Sequence, residues 1–460
     1  MERESLKSRL GFILISAGCA IGIGNVWKFP YMAGQNGGAI FVLLYLVFLV
    51  IMGIPVMTME FSLGRASRKS PVLLYQQLEP KGTKWHIHGK FAFVGNLLLM
   101  MFYTVVAGWM IIYFVKIAGG EFNGLTASQI QTQHSNMLAD PWGQILTTFI
   151  VIIAGFLICS FGVQKSLEKV TKVMMIALLL IMIVLAVNGF FMEGAGEGLA
   201  FYLIPNWDNF MKVGPFNVIV GAMTQAFFTL SLGIGSMAIF GSYINKERSL
   251  LGEAINVTIL DTFVAIVSGL IIFPACFTYG VDVDAGPQLI FVTLPNIFNQ
   301  MAGGQIWGCL FFIFLFFAAF STVLAVFENI ISMVQDLTDW SRKKTCLICC
   351  VSLLVLCLPA ILGFNAIPNF LESLLGGGSA FFNLEDFIVS YLMLPLGCLC
   401  FVLFCTTEKT GWGYENFMLE ANQGKGLKVK PWMKGYLKVV LPIIIGAYFI
   451  ISMLGFFGVI

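Results

Sequence analysis

Eleven stretches of this chain stay apolar over the ~20 residues that a helix needs to cross a hydrocarbon core. They fall at about 10–34, 38–64, 90–118, 143–161, 167–191, 214–242, 254–280, 305–335, 345–363, 378–406 and 437–458. Lipid offers backbone N–H and C=O groups no partner, so such segments must close their own hydrogen bonds as helices. The chain is therefore expected to be an all-α integral membrane protein. Composition agrees, because only 11% of the 460 residues are charged, against roughly 25% in a soluble domain. With a net charge of +2 and no basic tail, nothing points to nucleic acid. The eleven cysteines sit mostly inside apolar runs such as "LICCVSLL" and "LGCLCF", and are expected to be small buried hydrophobes. Residues 1–19 loosely resemble a lipoprotein cleavage site at "SAGC", but "LGFILI" is very short and Ser16 stands where an aliphatic residue is preferred. The expected reading is an uncleaved first span.

The loops carry an orientation signal. Of the 26 Lys and Arg residues, all but Lys28, Lys116 and Lys212 lie on one alternating set of connections. By the positive-inside rule those loops and the N-terminus face the cytoplasm. An odd number of spans then places the C-terminus outside the cell membrane. Connections 119–142 and 281–304 contain no Lys or Arg, as an outer face should.

Two spans interrupt themselves. Positions 22–25 read "GIGN" and positions 233–236 read "GIGS". A lone glycine pair in such a helix serves close packing, but these two occupy the first and sixth spans. Five spans per half makes the second half enter the membrane from the opposite side, the pattern of an inverted-repeat transporter with broken helices at its site. The expected units are 1–191 (helices 1–5), 192–406 (helices 6–10) and 407–460 (a cytoplasmic loop and helix 11). A helix unwound at Gly22–Gly24 frees carbonyls for a cation and offers a positive half-helix end to an anion.

The motifs "RLGFILISAGCAIGIGNVWKFP", "NGGAIF", "GIPVMTMEFSLGR", "TQAFFTLSLGIGS" and "LFFAAFSTVLAVFE" resemble the neurotransmitter:sodium symporter family. The nearest pattern is its bacterial amino-acid members of the leucine-transporter type, in an eleven-helix subgroup. The resemblance runs through helices 1 to 10 in order. It implies a first sodium site on Ala20, Asn25, Thr229 and Asp261, completed by the substrate carboxylate. It implies a second on the carbonyls of Gly18, Ile21 and Ala318 with the hydroxyls of Ser321 and Thr322. All of these ligands are oxygens, as a small hard cation requires.

Departures from the family pattern refine the expectation. Asp261 stands where animal relatives have asparagine, and Ala265 where chloride-dependent relatives have serine. A fixed carboxylate supplies the negative charge that chloride provides elsewhere, so no chloride requirement is expected. Glycine at position 22, where amine transporters have aspartate, leaves room for a substrate carboxylate, which Tyr103 should hydrogen-bond. The resemblance places the substrate among Ala20, Gly22, Ile23, Gly24, Leu99, Tyr103, Phe228, Thr229, Ser231, Ile234, Thr322 and Val326. An apolar pocket of this kind strands a charged side chain, which favours a hydrophobic L-amino acid, aliphatic or aromatic.

The same resemblance implies an outer gate of Lys28 and Asp386, with lysine replacing the usual arginine and losing its planar fork. Tyr103 and Phe228 should form the lid. It implies an inner gate of Arg3, Asp336 and Tyr243, and a brace at Glu60. Ser166 and Ile176 replace a glycine and a proline that help the fifth helix unwind. Glu328 has no role assignable from sequence, although an acid within a span is a functional candidate by default. Other readings are an amino-acid-binding sensor or channel-like protein on the same scaffold, and a proton-coupled transporter. An enzyme is not expected, because the chain has no "GxSxG", no metal-spaced His/Cys set and only three histidines. The "HIH" at 86–88 is expected to be solvated.

Overall fold

The computed structural model describes residues 9–281, 283 and 289–457. Among them, nine helices are each long and apolar enough to cross a membrane: Ala39–Ser67, His86–Ala118, Pro141–Ser160, Glu168–Phe190, Leu250–Thr278, Gly304–Thr338, Arg342–Leu362, Ala380–Thr406 and Met433–Phe456. A tenth crossing is a bent pair, Arg9–Ala20 and Gly24–Gln35, meeting at 57°. The expected sixth span is also in two pieces, Pro215–Thr229 and Ser236–Tyr243. Neither piece alone reaches the ~20 residues a crossing needs. We number these helices 1 to 11 in chain order, helices 1 and 6 being the broken ones.

Burial separates centre from periphery. In helix 8 (Gly304–Thr338), 78% of the most apolar window is buried inside the protein, against 22% in helix 11 (Met433–Phe456). Helix 8 packs along helix 3 (His86–Ala118), and the first half of helix 1 packs against helices 5, 7 and 8, so the broken helix is enclosed. Helix 2 (Ala39–Ser67) lies in backbone contact with the second piece of helix 6, Ser236–Tyr243. A Cβ on Gly64 would sit 1.7 Å from the Ala238 carbonyl oxygen. Helix 5 (Glu168–Phe190) is a continuous α-helix through Ile176, and Ser166 lies in the π-turn Val163–Leu167 that precedes it.

Connections hold further helices that apolarity did not announce. They include Ala127–Ala139, Ala195–Leu203, Trp207–Val213, Leu294–Gln300 and Tyr414–Ala421. The first begins with a capping box of Thr126 and Gln129. The loop helix Tyr414–Ala421 is clasped to helix 2 by the buried Arg65, whose Nε donates to Glu420 Oε1 at 2.6 Å. All eleven cysteines are free, and eight are buried, as expected of small apolar fillers.

The histidines correct one expectation. His86 and His88 do not sit in a solvated loop but open helix 3. His86 pairs with Glu79 at 2.7 Å. His88 is buried, with Nδ1 2.6 Å from the Tyr75 hydroxyl. Its ring packs edge-on against Phe401, and Tyr75 packs likewise against Phe404, contacts that no local sequence rule reports.

His134, in the helix Ala127–Ala139, lies flat on Phe291 at 5.7 Å, and its Nδ1 is 2.9 Å from the Tyr113 hydroxyl. Burial pushes its imidazole down from 6.5 to about 4. The unfolded chain therefore binds this proton more tightly than the folded one. The stability it contributes is complete above ~6.5 and is lost as pH falls from there towards about 4. Between pH 7 and pH 5 the protein should lose about 2 kcal/mol more than the His134→Phe variant. Thermal unfolding in detergent across that range checks this, and parallel pH profiles would refute it.

Candidate functional site

The two helix breaks face each other. In helix 6, residues 230–235 form consecutive turns, with Ser231, Gly233 and Gly235 at φ values of 51°, 98° and 75°. Each break frees backbone groups that buried side chains then satisfy. Glu60 Oε1 accepts the Gly233 N–H at 2.7 Å. Gln225 Nε2 donates to the Gly24 carbonyl at 2.8 Å, and Asn96 Nδ2 to the Ile234 carbonyl at 2.9 Å. Asn329 Nδ2 reaches both Asn96 Oδ1 and Ser236 Oγ. Glu60, expected as a brace, thus contacts the unwound backbone of helix 6. Gln225, Asn96 and Asn329 were not singled out from sequence, although amides within apolar spans were the available signal.

The residues of the first expected ion site converge. Asn25 Nδ2 donates to Thr229 Oγ1 at 2.9 Å, to Asp261 Oδ1 at 2.8 Å and to the Asp261 carbonyl at 3.1 Å. Thr229 Oγ1 lies 3.1 Å from Asp261 Oδ2, and Asn25 Oδ1 accepts the Gly22 N–H at 3.0 Å. Asn25, Thr229 and Asp261 are all buried, and Ala20 lines the adjoining cavity.

The second expected set also comes together. Thr322 Oγ1 lies 3.2 Å from the Ile21 carbonyl oxygen, 3.3 Å from that of Gly18 and 3.5 Å from that of Ala318. Ser321 Oγ donates to the Ala318 carbonyl at 2.9 Å. The Cys19 carbonyl, 3.4 Å from Thr322 Oγ1, joins this cluster unannounced. Among the described residues no group of three or more His, Cys, Asp or Glu side chains could hold a metal ion. Carbonyls, hydroxyls and one carboxylate are all oxygen donors, which suit a hard cation.

Between the two clusters lies a central cavity of about 20 Å³. Of the expected substrate residues, Ala20, Gly22, Gly24, Leu99, Tyr103, Phe228, Ser231, Ile234 and Thr322 line it. Three others do not. Ile23 lines the next cavity outward, Thr229 points to Asp261, and Val326 is packed in the core one turn beyond Thr322 on helix 8. Val389 and Leu394 of helix 10 line the cavity instead. Tyr103 Oη accepts the Ile23 N–H at 3.0 Å, which leaves its own proton to donate.

A second cavity of about 300 Å³ lies beyond, lined by residues including Trp27, Lys28, Phe382 and Asp386. Tyr103 and Phe228 line both cavities, so they form the partition between them. The expected Lys28–Asp386 ion pair is not formed. The Lys28 ammonium sits 3.8 Å from the centroid of the Phe228 ring, and Asp386 accepts from Ser390 Oγ at 2.7 Å. A lone ammonium lacks arginine's planar fork and here rests on an aromatic face, with Asp386 lining the same cavity.

On the opposite side, Arg3 lies outside the described residues. Asp336 accepts the Ser70 N–H at 2.8 Å and the Ser70 hydroxyl at 2.6 Å. Tyr243 donates to Glu328 Oε1 at 2.7 Å. Glu328 has a partner that sequence separation concealed. It forms a buried, two-pronged ion pair with Arg342, whose Nε also donates to the Cys159 carbonyl at 2.7 Å.

Broken helices that face each other across a buried polar pocket define a class of membrane transporters. The model of the sodium:neurotransmitter symporter family matches residues 3–123 and 121–458. The sodium-dependent transporter YhdH of Bacillus subtilis (strain 168) is 32% identical over 397 residues, 86% of this chain and 86% of its own. A sodium-dependent transporter of Haemophilus influenzae is 30% identical over 469 residues, 98% of each chain. The crystal structure of MhsT in complex with L-phenylalanine superposes with a TM-score of 0.86 at 35% identity. It covers 98% of this chain and 100% of MhsT. The chain belongs to the sodium:neurotransmitter symporter family. It is a multi-pass membrane transporter with a fold of the leucine-transporter type.

A Cβ on Gly22 would lie 2.4 Å from the Tyr103 hydroxyl and 2.6 Å from Thr322 Oγ1. Gly22→Ala should therefore displace both hydroxyls and weaken substrate binding at least 10-fold, while the folded yield in detergent stays near wild type. Substrate-induced thermal stabilisation measures this, and binding equal to wild type would refute the assignment of the pocket.

Proposed function

We propose that this protein is a sodium-coupled, chloride-independent symporter of hydrophobic L-amino acids that works by alternating access. The observation that carries the reading is Asp261. Its carboxylate is fully buried beside Asn25 and Thr229, and it belongs to none of the ion pairs formed among the described residues. An unpaired buried carboxylate calls for a cation. Sodium between Asp261, Thr229 Oγ1 and a reoriented Asn25 amide oxygen would replace the hydrogens that Asn25 now donates. The carboxylate's fixed charge makes a chloride partner unnecessary. The carbonyl and hydroxyl cluster around Thr322 is the second sodium site.

The substrate reading rests on the pocket. Gly22 leaves space at the break for a carboxylate, with the Tyr103 proton directed towards it. Leu99, Ile234, Val389 and Leu394 offer no partner for a charged side chain. That MhsT was crystallised with L-phenylalanine supports the same class. In this reading helix 6 crosses the membrane as one broken span. It gives eleven crossings in a 5+5 inverted repeat over 1–191 and 192–406, with the N-terminus cytoplasmic and the C-terminus outside. The Tyr103–Phe228 partition is the outer lid, and the Asp336, Tyr243 and Glu328 contacts hold the inner side closed.

Two measurements test this. Purified protein should be stabilised by hydrophobic L-amino acids in sodium chloride and sodium gluconate alike, and not in potassium chloride. Asp261→Asn should abolish sodium-driven uptake or make it require chloride, and Thr322→Ala should reduce apparent sodium affinity at least several-fold. Uptake by Asp261→Asn that matches wild type without chloride would refute the charge argument. Accumulation insensitive to the sodium gradient would favour a proton-coupled transporter, and binding without accumulation a sensor or channel-like role.

A further inference from the structure

Helix 10 contributes a wall to the central cavity, and an irregularity in that helix places it there. Helix 10 runs as α-helix over Ala380–Phe387, as a π-turn over Ile388–Met393, and as α-helix again from Leu394 to Thr406. In a regular α-helix, residues five apart point about 140° away from each other. Here the Leu394 N–H donates to the Val389 carbonyl. That i→i+5 bond stacks the two residues on one face. They are the two residues of helix 10 that line the cavity. The cause lies one residue on. Pro395 has no N–H to bond the Tyr391 carbonyl, so the ladder there cannot continue in α register.

The wall is also rigid. A Cβ on Gly233 would lie 2.2 Å from the Leu394 carbonyl oxygen, and one on Gly397 would lie 1.9 Å from the Gly233 carbonyl oxygen. Helix 10 thus abuts the break in helix 6 backbone to backbone. On its other side Met393 packs within 3.3 Å of where a Cβ on Gly95 of helix 3 would stand. Helix 10 is thus packed directly against both helix 3 and helix 6 at the level of the cavity. Val389 and Leu394 are themselves buried, at 0% and 3% exposure. With Leu99 and Ile234 they close the cavity in aliphatic carbon, with no ring and no polar atom among the four.

We infer that Val389 and Leu394 set the length of side chain the transporter accepts, the π-turn of helix 10 being the device that puts both in the substrate's path. This rests on the proposed amino-acid function and adds to it the residues that rank substrates. A side chain growing from a backbone anchored at the helix 1 break meets these two branched residues. Removing carbon there favours longer side chains, and adding carbon favours shorter ones.

The test compares apparent affinities for L-valine and L-tryptophan in sodium buffer, using wild type, Leu394→Ala and Val389→Leu. Relative to wild type, Leu394→Ala should move the tryptophan-to-valine ratio at least 10-fold towards tryptophan, and Val389→Leu should move it about as far towards valine. A purely structural role would weaken both ligands together and leave the ratio alone. If Leu394→Ala does not fold, Leu394→Val removes a single methylene and should shift the ratio in the same direction. Ratios within twofold of wild type in folded variants would overturn the inference while leaving the amino-acid reading intact. Failure of wild type to bind either ligand would overturn that reading, and this inference with it.

Discussion

Everything at the centre of this protein depends on satisfying backbone groups where two helices stop being helical inside the membrane. A free N–H or C=O in hydrocarbon costs several kcal/mol, so the breaks exist only because side chains meet them. Glu60 takes the Gly233 N–H, Gln225 holds the Gly24 carbonyl, Asn96 holds the Ile234 carbonyl, and Asn25 takes the Gly22 N–H. These four contacts come from helices 1, 2, 3 and 6. The site is consequently a property of the packed bundle, and neither broken helix could hold its shape alone.

The same contacts explain how the site can be both polar and dry. Asp261, Thr229 and Asn25 form one hydrogen-bonded knot, and Thr322 with four carbonyls forms another. Each lies beside a cavity whose remaining walls are mostly apolar. A cation entering either knot exchanges water for protein oxygens without exposing those oxygens to lipid. Tyr103 and Phe228 separate that space from the larger outer cavity. Lys28 lies over the Phe228 ring, and both line that larger cavity.

The ion pairs sort by position. Glu328–Arg342 and Arg65–Glu420 are buried on the side that carries most of the basic loops. Both tie a loop or a helix end to the interior. Arg342 also holds the Cys159 carbonyl at the end of helix 4 (Pro141–Ser160). Breaking one partner of a buried pair leaves an uncompensated charge, so each of these contacts is costly to lose. The Tyr243–Glu328 hydrogen bond joins the second piece of helix 6 to the first of these pairs.

Much of this was legible in the sequence, for physical reasons that differ by residue. The long helices follow from apolar length, because a bilayer imposes it locally. The breaks at 22–24 and 233–235 follow from glycine pairs in otherwise apolar runs, and Asp261 and Glu60 stand out because an acid in a span needs a reason. Other features depend on who meets whom. Glu328 finds Arg342 across a helix–loop–helix, His88 is buried against Phe401 with its hydroxyl partner Tyr75, and Lys28 lies on Phe228 without forming an ion pair with Asp386. Val389 and Leu394 reach the cavity only because a proline turns helix 10 out of α register. The sequence by itself determined the membrane, the spans, the breaks and the kind of atoms at the site, since each of those is set within a few residues. Tertiary structure alone decided the pairings and the shape of the pocket, since these arise between residues that are distant in the chain and adjacent only after packing.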